Sequence, residues 1–148
     1  MIGPSSWGPH GWKFIHMVAL GYPQIPSEDQ KKNYRVFFEI LQHVLPCSIC
    51  SNNYSMHLKE LPLTDEILSN SDNLLKWTVD LHNIVNKEKG KKVYDYDEAK
   101  RLILSNFMEL KTNEKPNNLI YTNNLTTICG LIFLFITLVI IAIVYKKN

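Results

Sequence analysis

The sequence predicts an all-α protein: a soluble domain of five helices followed by a C-terminal transmembrane helix. Three observations predict it. Between residues 5 and 111, apolar side chains recur at helical spacing in stretches separated by Pro, Gly and Ser/Asp/Asn punctuation. No run of alternating β-branched residues competes with that periodicity. Residues 125–145 (LTTICGLIFLFITLVIIAIVY) then run for 21 positions without a charge.

The first helix is expected from about Trp7 to Leu20, with Trp12, Ile15, His16 and Ala19 at helical spacing and Tyr22-Pro23 ending it. Ser27 offers an N-cap, and Gln30 three residues on completes a capping box. The helix behind it carries Tyr34, Phe37, Phe38 and Leu41 on one stripe and stops before Pro46. Pro46 suits the first turn of a third helix, where its missing N–H has no partner to lose. That helix bears Cys47, Cys50, Tyr54 and Leu58. A fourth starts near Asp72, places Leu74, Thr78, Leu81, His82 and Val85 along one face, and ends at Gly90. Asp95 and Glu98 suggest another capping box, ahead of a stripe of Ala99, Leu102, Ile103, Phe107 and Leu110.

The organisation that follows is a domain over residues 1–111, a polar Asn-rich linker over 112–124, a transmembrane helix over 125–145 and a short basic tail over 146–148. At about 1.5 Å rise per residue the apolar run spans roughly 30 Å, the thickness of a bilayer's hydrocarbon core. Lys146 and Lys147 sit as interfacial anchors. Met1 to Gly11 has no basic region followed by an apolar one, so no secretory leader is expected. The expectation is a tail-anchored, single-pass protein with its domain facing the cytosol. With 16 basic and 14 acidic residues, the net charge of +2 gives no clustered excess for a nucleic-acid partner. The stretch KEKGKK at 87–92 reads as a solvated helix end. A five-helix domain of about 105 residues is near the lower limit for a self-sufficient core, and a large buried cofactor or a dimer interface would help it.

Three cysteines are present. Cys129 lies in the apolar run and reads as a small apolar residue. Cys47 and Cys50 form C-x-x-C: on a helix, positions i and i+3 share a face at disulfide distance. Unpaired N–H groups at a helix N-terminus favour an anion, so the first thiol should ionise below the usual pKa of about 8.5. A low-pKa thiol beside a resolving thiol is what disulfide exchange requires. Other readings stay open at this point. A thioredoxin-type site needs a preceding strand, whereas residues 37–44 read as helix. A zinc site needs two further ligands, for which His43, His57 and His82 are available, but no second C-x-x-C or H-x3–5-H occurs. Two structural cysteines without chemistry are the third.

The surroundings of the pair carry more. Trp7-Gly8 with Trp12 and His16 (W-G-x-x-x-W-x-x-x-H) is followed by Tyr22-Pro23, Phe37 and Pro46-Cys47-x-x-Cys50. Trp77 comes next, then His82-Asn83-x-Val85-Asn86, Gly90-Lys91 and Tyr94-Asp95. Over roughly residues 7–107 the chain resembles the Erv/ALR family of FAD-linked sulfhydryl oxidases. The resemblance implies a four-helix bundle plus a short fifth helix around FAD, with the isoalloxazine ring beside the C-x-x-C. Cys50 would be the flavin-proximal sulfur and Cys47 the exposed thiol exchanging with a dithiol. The electrons would pass through FAD to molecular oxygen, giving hydrogen peroxide.

It also implies cofactor contacts from Trp7, Gly8, Trp12, His16, Tyr22, Phe37, His82, Asn83, Val85, Asn86, Lys91 and Tyr94, and no metal. Trp12 and Phe37 would line flat flavin surfaces, with Trp7 holding the start of the first helix. His16, His82, Asn83 and Asn86 would offer donors for ring and adenine edges, and Lys91 would pair with the pyrophosphate. Trp77 suits core or cofactor wall equally. The chain departs from the family where a structural disulfide is common, with Val79 and Tyr96 at those positions, and where an adenine-side tryptophan is replaced by Ile103. No second cysteine pair is present to shuttle electrons, so the substrate would be a separate thioredoxin-like or other dithiol protein. The family implies a homodimer. The short form resembles members carried by large DNA viruses that assemble in the cytoplasm, which would place it in host cytoplasm or a virion membrane. The alternative function is a zinc-stapled, membrane-tethered binding module using the same cysteines.

Overall fold

The structure, a computed structural model, describes residues 3–113 (side chains through 106), 127–138 and 145–146. The chain divides into two compact units, Met1–Met108 and Glu109–Asn148. The elements are α1 (Pro4–Leu20), α2 (Glu28–Val44), α3 (Ser48–Glu60), a short 3-10 turn (Ile67–Ser69), α4 (Ser71–Glu88) and α5 (Tyr96–Asn113). Among the described residues there is no strand. In the first unit α1 packs on α4 and α2 on α3, and the 3-10 turn closes against α4 and α2.

Local chemistry accounts for the helix ends. The Ser27 box forms in both directions: Gln30 N–H donates to Ser27 Oγ (3.2 Å) and Ser27 N–H to Gln30 Oε1 (2.8 Å). Asn70 caps α4 by accepting from Asn73 N–H at 2.9 Å. At its other end Gly90 adopts φ +61, Gly90 N–H reaches Lys87 C=O (3.1 Å) and Lys91 N–H reaches Asn86 C=O (2.8 Å). That pair of bonds is a Schellman closure, and its left-handed residue is where glycine is unstrained. At α5 the Asp95 carboxylate accepts from Glu98 N–H (2.8 Å), while the Glu98 carboxylate pairs with Lys92 Nζ (2.7 Å). The α5 helix is not short: it runs 18 residues, as long as α4, because no Pro or Gly interrupts it.

Trp77, Phe38, Leu68, Leu74, Leu75 and Leu81 form the fully buried core. Phe38 meets Trp77 edge-on, with ring centroids 5.2 Å apart at 75°. The polar tips of the three core aromatics are spent: Trp77 Nε1–H donates to Leu61 C=O (3.0 Å), Tyr54 OH to Phe38 C=O (2.9 Å) and Tyr22 OH to Leu68 C=O (2.8 Å). Trp77 is thus core rather than cavity wall. The first turns of α5 dock through buried Ala99, through Lys100 Nζ on Asp72 (2.6 Å) and through Tyr96 OH on Asp72 C=O (3.3 Å). Val79, buried, and Tyr96, packed against the core, fill positions where the family resemblance puts a disulfide.

In the second unit, residues 127–138 are helical and Cys129 is exposed. Of the expected 125–145 span, residues 125–126 and 139–144 lie outside the described residues, as do 114–124 of the linker, 147–148 of the tail and the side chains of Phe107 and Leu110. Among the described residues no helix is long and apolar enough to cross a membrane.

Candidate redox and cofactor site

Helices α1, α3 and α4, with the first turns of α5, enclose one side of a cavity of about 1120 Å³. Its size lies at or above the roughly 300–1,000 Å³ of small-ligand sites. At one wall lies the cysteine pair. Pro46 does not start α3, as the sequence suggested, but precedes its N-cap. Leu45 takes the extended conformation that a residue before proline favours (φ −60, ψ 137), which ends α2. Cys47 is the N-cap itself, extended at φ −141 and ψ 115, and its Sγ accepts from Cys50 N–H at 3.3 Å. Cys47 and Cys50 are joined as a disulfide with Cα atoms 5.1 Å apart. The backbone N–H that holds Cys47 Sγ also favours its thiolate once the bond opens. Cys47, expected as the exposed sulfur, is buried, and Cys50 is half-buried.

An aromatic and imidazole array from α1 and α4 lines the same cavity. Trp12 stacks on His82, centroids 4.1 Å apart and planes within 8°. His82 Nδ1 lies 3.1 Å from His16 Nε2, and His16 Nδ1 lies 3.0 Å from Thr78 Oγ1. Burial, reinforced by the neighbouring His82, lowers the His16 pKa from 6.5 to about 3. Burial, reinforced by the Lys91 charge, lowers that of His82 to about 4. Both imidazoles are therefore neutral at physiological pH.

Of the residues expected to hold a cofactor, Trp7, Gly8, Trp12, His16, His82, Asn83, Val85, Asn86, Lys91 and Tyr94 line this cavity together with both cysteines. Two do not. Tyr22 is buried in the core with its hydroxyl on Leu68 C=O, and Phe37 packs edge-on between Phe14 and Phe38. Asn83 spends one donor and one acceptor locally: its Nδ2 donates to Tyr94 C=O (2.8 Å) and its Oδ1 accepts from Tyr94 N–H (3.1 Å). It clamps the loop after α4 and thereby places Lys91 and Tyr94.

Sequence reasoning missed several lining groups. His57, considered only as a metal ligand, is a buried wall residue whose Nε2 pairs with Glu88 Oε1 at 2.8 Å, tying α3 to the end of α4. Its spacing of seven from Cys50, two helical turns, is the signal that puts both on one face. Asn53 and Tyr54 line the same wall, and Ala99 and Leu102 come from α5, beside Ile103 at the position matched to an adenine-side contact. Gly11 also matters: a Cβ there would lie 2.8 Å from the Trp7 ring, so the bare position makes room for the indole.

The lining suits a large, partly flat, mostly apolar ligand with hydrogen-bonding edges. Trp7 Nε1 is buried in the cavity wall without a protein partner, a donor awaiting an acceptor. Among the described residues, no group of three or more His, Cys, Asp or Glu side chains is placed to hold a metal ion, which leaves a zinc staple without a ligand set there.

A disulfide at a helix cap, opening on a large cavity walled by stacked rings, defines a small helical redox protein. The chain belongs to the Erv1/Alr family, whose model matches residues 9–103. It is 52% identical over 98 residues to a protein of Acanthamoeba polyphaga mimivirus named "Probable FAD-linked sulfhydryl oxidase", covering 66% of this chain and 68% of that one. It is 34% identical over 98 residues to an FAD-linked sulfhydryl oxidase of African swine fever virus, covering 65% and 78%. Among solved structures it resembles the yeast Erv1 core, with a TM-score of 0.59 and 27% identity over 64% of this chain and 78% of that one. It resembles the FAD-binding domain of Saccharomyces cerevisiae Erv1 at a TM-score of 0.60 and 27% identity, covering 64% and 88%.

Proposed function

We propose that this protein is an FAD-dependent thiol oxidase that makes disulfides in a dithiol substrate. The observation that carries the reading is the Cys47–Cys50 disulfide set on a cavity with an unpartnered buried donor, Trp7 Nε1. The residues that would hold FAD are Trp7, Gly8, Trp12, His16, His82, Asn83, Val85, Asn86, Lys91 and Tyr94, with His57 and Tyr54 at the sulfur-side wall.

In the exchange, a substrate thiolate attacks Cys47 Sγ, the sulfur the family pattern assigns to this step although it is the more buried of the two; the Cys47–Cys50 bond breaks and Cys50 leaves as a thiolate. The second substrate thiolate attacks the substrate sulfur of the mixed disulfide. Substrate departs oxidised, and Cys47 leaves as a thiolate held by Cys50 N–H at the helix N-terminus. The pair now carries the two electrons. When bound, FAD supplies a two-electron acceptor that restores the disulfide and delivers the electrons to molecular oxygen as hydrogen peroxide.

Because residues 125–145 carry no charge and two lysines follow, the same reading makes the C-terminal segment a membrane anchor beyond a domain of residues 1–111 and a linker of 112–124. The domain then faces the cytosol, in host cytoplasm or at a virion membrane. Exposed apolar residues on α1 and α2 (Phe14, Met17, Val36, Ile40 and Val44) support a homodimer. A thioredoxin-like protein is the fitting substrate, since this chain has no second cysteine pair to relay electrons.

The test is a dithiol titration of the purified full chain. The protein should be yellow, bleach by one flavin equivalent per dithiol without air, and recover its colour on admitting oxygen with release of peroxide. A colourless chain that takes up no FAD overturns the reading.

A further inference from the structure

We infer that Thr78 is a positioning residue: acting through His16, it fixes His82 as the tautomer protonated on Nδ1, leaving His82 Nε2 as a bare hydrogen-bond acceptor on the cavity wall. The inference rests on the FAD reading only for the identity of the ligand.

The deduction follows the hydrogens along the chain of contacts. Thr78 has a single hydroxyl hydrogen, and it goes to Leu75 C=O at 2.7 Å, because a carbonyl can only accept. Toward His16 Nδ1, 3.0 Å away, the hydroxyl oxygen must then accept, so His16 carries its proton on Nδ1. A neutral imidazole has one N–H, which leaves His16 Nε2 bare. The ring is buried at 6% exposure, where a charge would be costly. His82 Nδ1, 3.1 Å from that bare nitrogen, must therefore be the donor. His82, neutral too, is left with its lone pair on Nε2, and no protein group bonds that atom among the described residues. The Trp12 stack fixes the plane of the ring.

The deepest group in the array thus sets the polarity of the one that lines the cavity. A ligand meets a hydrogen-bond acceptor at His82 and a donor at Trp7 Nε1. The group that fits His82 Nε2 is a donor: an amino, imide N–H or hydroxyl of the cofactor. A group that only accepts is refused there, since two lone pairs would face each other.

The tautomers can be read on the full chain labelled with 15N-histidine, through long-range nitrogen–proton correlations at neutral pH, as purified and with FAD added. Both His16 and His82 should show a protonated Nδ1 and a bare Nε2. A proton on His82 Nε2 overturns the inference. Thr78→Val keeps the shape and removes the hydroxyl; it should abolish the single tautomer of His82 and weaken FAD binding about tenfold, the size of one hydrogen bond. Thr78→Ser should restore both. Unchanged tautomers and an FAD Kd within twofold in Thr78→Val overturn the relay. If that variant does not fold, the unsubstituted chain and Thr78→Ser still decide through their tautomers. The two readings fail separately. Expected tautomers in a chain that binds no FAD sink the oxidase and leave the relay standing, whereas a yellow chain with His82 protonated on Nε2 sinks the relay alone.

Discussion

The sulfurs and the imidazoles share one cavity, yet the protein holds them in opposite ways. Cys47 and Cys50 sit at the cap of α3, where the Cys47 sulfur accepts the Cys50 N–H and Cys50 is half-buried. His16 and His82 project from the interiors of α1 and α4 and are fixed by a stacked tryptophan, each other and a threonine. The difference follows from what each must do. A redox pair makes and breaks a bond and must admit a foreign sulfur, so it gains from a helix end. A binding wall must keep its donors and acceptors pointing one way, so it gains from mid-helix positions packed on two sides.

The sharpest way to break the comparison is at the sulfurs. Cys50→Ser should reduce thiol oxidation to background while FAD stays bound, because it removes the exchange and leaves the histidine wall untouched; oxygen uptake and flavin absorbance read the two separately. A variant that loses its colour as well would mean that the two regions are one structural unit.

Acid sharpens the contrast from the other side. The folded pKa values of His16 and His82 lie below the unfolded value near 6.5, at about 3 and about 4. The unfolded chain therefore binds the extra protons first. Stability is full above pH 6.5 and falls as the pH drops toward 4, by up to about 1.4 kcal/mol per pH unit for His16. Urea midpoints at pH 7, 6 and 5 should decline in that order, and His16→Leu should flatten the decline.

The smallest effect belongs to the turn that carries Lys91 and Tyr94. Gly90→Ala places a Cβ at φ +61 and should cost about 1–2 kcal/mol in a denaturant titration. FAD affinity should drop by a smaller factor, with the exchange step itself unchanged.

How much of this the sequence discloses depends on how local the cause is. The Ser27 box and the Gly90 closure are written within four or five consecutive residues, and both form as read. The cap at Cys47 is not legible from sequence, because Pro46 is acceptable both before an N-cap and at the first helical position. Phe37 and Phe38 are adjacent, about 100° apart on the helix, and spacing alone does not say which one faces inward; Phe38 is completely buried. Tyr22, matched by resemblance to a cofactor contact, spends its hydroxyl on Leu68, 46 residues away. His57 and Glu88, 31 residues apart, meet only because α3 lies against the end of α4. Long-range pairings of this kind leave no mark on periodicity. Among the cofactor residues, those quoted in the two dense motifs, W-G-x-x-x-W-x-x-x-H and H-N-x-V-N, converge on the cavity, while the isolated Tyr22 and Phe37 do not.

Gly11 carries a lesson for anyone re-engineering the molecule. Replacing a helical glycine with alanine is a routine stabilising move, worth roughly 0.5–1 kcal/mol. Here the added methyl would collide with the six-membered ring of Trp7, one turn back, and displace an indole whose buried N–H has no partner among the described residues. The two positions form a matched set: a smaller ring at position 7 is the condition for any side chain at position 11.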